Sequence, residues 1–208
     1  MSWRKLFGGE PDPTSLEQSP GADRSPRLPP GQALTTKWPV LSYEPTPRFD
    51  AAAYRFKVWG AVAEPLEMTW ERLQSLPRTR LTADFHCVTA WSRYDNAWEG
   101  VAIRDILAMV RPLPEAAFVT AHSWSGYTTN MPLADLDDDD TLIAFTHDGE
   151  PITPDHGGPV RLIVPKLYAY KSAKWLSGLE FMEKDRPGFW EVRGYHNHAD
   201  PWKEERFW

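Results

Sequence analysis

From Tyr54 to Gly60 the chain reads YRFKVWG, large apolar residues alternating with basic ones until a glycine stops the run. A period of two places every second side chain on one face, so this segment is expected to form a half-buried strand. The alternation returns at Arg80–Val88 (RLTADFHCV), which puts Cys87 at or just after a strand end. Apolar runs at Ala117–Ala121, Tyr127–Pro132, Leu142–Thr146, Val160–Val164 and Leu179–Glu183 are expected to be further strands, with turns at Asp148-Gly149 and Gly157-Gly158. Two stretches carry a helical signature instead. Thr69 can cap a helix over Thr69–Ser75 with Glu71 in its first turn, and Ile103–Val110 opens on Arg104–Asp105 and closes before Pro112. The sum is an α+β pattern of mixed short strands and few helices.

The ends of the chain behave differently. From Gly8 to Gln32 the residues are mainly Gly, Pro, Ser and charged types, which bury too little apolar area to offset their ordering entropy. Residues 1–35 are therefore expected to form a flexible arm, and 36–208 a single domain whose order begins near Thr36. The steps Trp38-Pro39 and Thr46-Pro47 favour extended backbone just inside that boundary. Asp137–Asp140 reads as a solvated loop or helix start rather than a metal cage. An aromatic tail, FWEVRGYHNHADPWKEERFW, is expected to pack over the domain.

Composition narrows the function. A net charge of −6, with 25% charged and 41% hydrophobic residues, provides no basic stripe for a nucleic-acid backbone. No apolar run reaches the ~18 residues of a membrane span, and none behind Met1–Phe7 resembles the core of a secretory signal, so a cytoplasmic enzyme is expected. The 20 prolines and 11 tryptophans predict a fold rich in loops and short strands. One cysteine excludes an internal disulfide and every multi-cysteine metal site. Composition alone files Cys87 as a small buried residue, while leaving open a metal ligand or a nucleophile.

Two clusters carry candidate chemistry. In Asp84-Phe85-His86-Cys87-Val88-Thr89-Ala90-Trp91-Ser92, a thiolate at a strand end can project into a cleft, and His86 can supply a supporting hydrogen bond. In His156-Gly157-Gly158-Pro159-Val160-Arg161, two glycines allow close backbone approach, and an arginine inside an apolar strand must find an anion or carboxylate. Tyr170-Lys171-Ser172-Ala173-Lys174-Trp175 follows, where two lysines and a serine are expected to converge as a phosphate cradle.

Taken in order, HCVTAWS, SGYTTNMPL, HGGPVRLIVP, YKSAKW and GFWEVRGYHNHADPW resemble the successive motifs of the bacterial sulfite-oxidase-like molybdopterin oxidoreductases, over roughly Trp38 to Trp208. The resemblance implies the molybdopterin-binding fold and a molybdenum-molybdopterin cofactor, with Cys87 as the sulfur ligand of the metal. It implies pterin and phosphate contacts from His156, Arg161, Ser172, Ala173 and Lys174, and further cofactor contacts from His122, Tyr43 and Glu44; His86 is counted with them for its place beside Cys87. The implied reaction is two-electron oxygen-atom transfer on a small-molecule substrate such as a sulfoxide. The chain departs from sulfite oxidases in lacking their cluster of arginines, with Arg93 the nearest candidate, which puts sulfite in doubt. Room for a dimerisation or haem domain is not expected in a chain of this length, so an external electron partner is. Two other readings stay open: a catalytically silent pterin-binding scaffold, and a hydrolase pairing Cys87 with His122 or His156. His196 and His198 lack a nearby third ligand for zinc.

Overall fold

The computed structural model describes residues 27–208. Eleven strands follow in chain order: β1 (Ala33–Leu34), β2 (Arg55–Gly60), β3 (Leu66–Thr69), β4 (Thr79–His86), β5 (Trp91–Ala102), β6 (Phe118–Ser123), β7 (Thr128–Pro132), β8 (Leu142–His147), β9 (Glu150–Pro151), β10 (Arg161–Ile163) and β11 (Leu176–Met182). Among the described residues the α-helices are short: α1 (Trp70–Gln74), α2 (Ile103–Val110) and α3 (Leu133–Leu136). None is long and apolar enough to cross a membrane. The α+β reading holds, and the helix at 70–74 carries the expected cap, with Thr69 Oγ1 accepting from the Arg72 backbone N–H.

The strands form two mixed sheets. One runs β1-β5-β8-β10, with β4 also paired to β5 and β9 to β8; the other runs β3-β2-β11-β6-β7. Between them lies a core of Phe56, Val58, Leu73, Val119, Met131, Leu162, Leu179 and Phe181, joined by Ile103, Ile106 and Val110 from one face of α2. Each such side chain contributes roughly 1.5–3 kcal/mol by leaving water. A second cluster, rich in aromatic residues, gathers Phe85, Trp91, Trp98, Tyr168, Trp190 and Tyr195 around Cys87.

Strand β5 is the largest element that the periodicity does not announce. Its twelve residues, WSRYDNAWEGVA, bury in an irregular order because the register shifts against β4 near Ala83/Phe85 and against β8 near Glu99/Gly100. Asp95 adds a left-handed φ of 53°. Gly100 permits the close approach to β8, since a Cβ there would lie 2.0 Å from the Ile143 carbonyl oxygen. Strand β11 begins at Leu176, ahead of the expected Leu179, and β3 is likewise unannounced.

Residues 1–26 of the expected arm lie outside the described residues. The remainder lies on the domain. Arg27 pairs with Asp84 at 2.6 Å and Asp95 at 2.7 Å, and β1 pairs in parallel with β5, Ala33 opposite Trp91. A paired strand thus precedes the boundary expected at residue 35.

Candidate active-site cleft

Strands β4 and β5 are joined by a tight turn at Cys87-Val88-Thr89-Ala90. The Cys87 N–H donates to Trp91 O at 2.8 Å, and the Ala90 N–H to Cys87 O at 3.1 Å. Ala90 turns the chain with a φ of 72°. Cys87 is thereby carried just beyond the strand end, onto the wall of a cleft enclosing about 870 Å³ of space that includes its open mouth. Burial pushes the Cys87 thiol up, while Thr89, Arg206 and Lys174 oppose that shift. Its Sγ lies 3.1 Å from Thr89 Oγ1.

The opposite wall comes from the segment around β10. Arg161 is buried, and its guanidinium donates to His156 O at 2.6 Å and Ser172 O at 2.9 Å. Its Nε has no partner among the described residues, and no carboxylate is paired with it. Burial lowers its pKa to about 9, so it stays cationic at neutral pH. Lys174 is lowered further, to about 7, by burial and by the charge of Arg161. Its Nζ donates to Leu41 O at 2.8 Å, Ser42 Oγ at 2.7 Å and Asp155 O at 2.7 Å.

The extended segment 38–44 closes one side. Trp38 stacks on His156 with centroids 3.9 Å apart. The Trp38 carbonyl only accepts, so His156 Nε2 must be the donor at 3.0 Å, leaving Nδ1 to accept from the Thr153 hydroxyl at 2.9 Å. Burial holds His156 below its ordinary pKa, which keeps it in this neutral form. Tyr43 is 54% exposed with its ring 4.2 Å from that of Phe189, and Glu44 lies beside it on the cleft wall.

Seven of the ten residues singled out from the sequence line this cleft: Tyr43, Glu44, Cys87, His156, Arg161, Ser172 and Lys174. The other three face elsewhere. His86, next to Cys87 but on the opposite side of the strand, bonds Ser92 Oγ at 2.8 Å and meets the Trp202 ring. His122 bonds Glu180 at 3.0 Å on the outer side of β6, and its neighbour Ser123 reaches the cleft instead. Ala173 is buried in the main core.

Three further expectations change. Gly157 and Gly158 make room for the chain itself: a Cβ would meet the Lys174 side chain at 2.8 Å and the Ile152 carbonyl oxygen at 1.8 Å, respectively. The lysines do not converge, because Lys171 points away to Glu191 Oε1 at 2.6 Å, Asn130 O at 2.7 Å and Asn197 O at 2.6 Å. Arg93 is not on the cleft wall; it binds Asp148 at 2.5 Å and Thr36 O at 3.2 Å. In the tail, His198 lies between carboxylates, 2.7 Å from Glu205 and 3.2 Å from Asp135. No site role is expected from the sequence for Tyr127, Tyr170, Trp190 and Tyr195, which form an aromatic wall here, although all four lie within the motifs SGYTTNMPL, YKSAKW and GFWEVRGYHNHADPW.

A soft sulfur and an incompletely bonded cation share this cleft. An anionic cofactor would answer the missing partner of Arg161 Nε, and the indole N–H of Trp91, also on the wall, is unpartnered among the described residues too. The donors present therefore suit a metal carried by an anionic organic group.

Comparison with known proteins agrees. The family model described as oxidoreductase molybdopterin binding domain matches residues 43–190. The oxidoreductase YuiH of Bacillus subtilis is 44% identical, over 89% of this chain and 94% of that protein. A putative protein-methionine-sulfoxide reductase subunit of Azospira oryzae is 26% identical, over 80% of this chain and 64% of its own length. The crystal structure of the sulfane dehydrogenase SoxCD from Paracoccus pantotrophus shares the fold at a TM-score of 0.63 and 24% identity, covering 76% of this chain and 46% of that one.

Proposed function

Because the chain belongs to the sulfite-oxidase-like oxidoreductase molybdopterin-binding family, we propose that it catalyses two-electron oxygen-atom transfer on a small uncharged substrate of the sulfoxide type, with an external electron partner. It is a molybdopterin-dependent oxidoreductase, and its cofactor is molybdenum-molybdopterin. When bound, that group supplies the metal that exchanges an oxygen atom and electron pairs. Everything else is the work of the chain.

Cys87 Sγ would hold the metal, presented by the β4–β5 turn at the cleft wall. Arg161 would hold an anionic part of the cofactor through its free Nε and the charge that no carboxylate neutralises. His156 orients Trp38 and so fixes the segment 38–44, while Lys174 ties Leu41 and Ser42 to Asp155. The tyrosines and tryptophans on the wall exclude water. With Arg161 given to the cofactor and Lys174 engaged by Leu41 O, Ser42 Oγ and Asp155 O, the lining leaves no arginine for a sulfite anion, which supports an uncharged substrate. The relative from Azospira, whose name records methionine sulfoxide reduction, supports the same class.

The observation that carries this reading is the buried, unneutralised Arg161 on the same cleft as Cys87. Protein from a molybdenum-replete host should contain about one metal and one pterin per chain, and Cys87→Ser should lose the metal while keeping the fold. Sulfoxide reduction with a reduced dye should exceed sulfite oxidation with an oxidised one. A preparation without molybdenum and pterin would defeat the assignment. A hydrolase is not favoured, since among the described residues no histidine bonds Cys87 Sγ.

A further inference from the structure

The turn that presents Cys87 also determines what its sulfur touches. Thr89 Oγ1 stands 3.1 Å from Cys87 Sγ, and the Thr89 backbone N–H faces the same sulfur. In a free thiol either the sulfur or the hydroxyl can be the donor. A metal-bound sulfur has lost its proton, so the hydroxyl alone can donate. Among the described residues the Thr89 side chain makes no other hydrogen bond, which leaves its proton free for this role.

The geometry is held from outside as well. Gln32 Nε2 donates to Cys87 O at 3.0 Å, and Arg206 Nη1 to Val88 O at 2.6 Å. Together with the Cys87–Trp91 and Ala90–Cys87 backbone bonds, these contacts leave the turn little freedom to carry Thr89 away from the sulfur.

We propose that Thr89 is a positioning residue whose hydroxyl donates a hydrogen bond to the Cys87 thiolate, draws electron density from the sulfur, and thereby raises the reduction potential of the metal. The proposal rests on Cys87 being the metal's sulfur ligand. A hydrogen bond to a charged group is strong enough that its loss shifts the oxidised-to-reduced ratio about tenfold, equivalent to ~59 mV for a one-electron couple.

The test compares holoenzymes of the wild type, Thr89→Val, Thr89→Ala and Thr89→Ser by metal and pterin content, redox titration and visible absorption. Valine keeps the shape and the backbone donor while removing the hydroxyl. It should retain the metal, lower the potential by about the stated amount, and move the sulfur-to-metal charge-transfer band to longer wavelength. Alanine should do the same, and serine should restore both signals. Fully loaded Val and Ala variants with unchanged potential and absorption would overturn the proposal and leave the cofactor assignment standing. So would a serine variant that shifts as far as valine. A wild type without metal would overturn both.

Discussion

Lys171 and Arg161 are both cations removed from water, 0% and 3% exposed, and they are accommodated in opposite ways. Lys171 meets Glu191 and two main-chain carbonyls, so its charge and its three N–H groups are matched within the chain. That ion pair ties the tail to the segment 169–171, and hydrogen bonds from Lys171 to Asn130 O and from Thr129 Oγ1 to Glu191 add β7 to the knot. Arg161 has two carbonyl partners, a free Nε and no carboxylate. Since an unpaired buried charge is costly, the first arrangement serves the fold and the second makes sense only with an anion in the cleft. Burial alone does not distinguish a structural cation from a functional one; the counter-charge does.

The contrast can be broken at either end. Glu191→Ala leaves Lys171 buried without its carboxylate and should cost about 3–5 kcal/mol in chemical denaturation. Arg161→Met should leave the cofactor-free protein as stable as wild type or more so, yet weaken pterin retention about 10–100-fold, as measured by released pterin. A large loss of stability in that variant would mean that Arg161 is structural after all.

A smaller effect reports how far the charge of Arg161 reaches. Burial, with the charges of Arg93 and Arg161, holds His147 at about 4 against an ordinary 6.5, despite the opposing Asp148. Between those values the unfolded chain binds more protons. Stability is therefore complete above about pH 6.5, falls as the pH drops toward 4, and levels off below. Melting temperatures from pH 7 to 5 should show the fall, His147→Gln should flatten part of it, and Arg161→Met should reduce it slightly. Smallest of all, Arg104 on the surface pairs with Asp137 and Asp139, and Arg104→Ala should change stability by less than about 1 kcal/mol.

How much of the molecule is legible in the chain depends on the kind of information each element needs. The strand ending at His86, the cap at Thr69 and the helix at Ile103 are local patterns, and the structure contains all three. Strand β5 is hidden, because its bulges and the left-handed Asp95 interrupt the period of two on which such reading depends. At the site, the motifs around Cys87, His156 and Lys174 meet on one cleft. His86 and His122 belong to the same motifs or strands yet face away, because successive residues of a strand point to opposite sides.

By itself, then, the sequence determined the fold class, the one cysteine that could be a sulfur ligand and the arginine that needs an anion or a carboxylate, because residue type and short-range period carry that information. Only the tertiary structure decided that Lys171 belongs to the fold and Lys174 to the cleft. Only two residues lie between them, and what sets their roles is a carboxylate at position 191 and a segment at 41–42, brought near by contacts that no local pattern encodes.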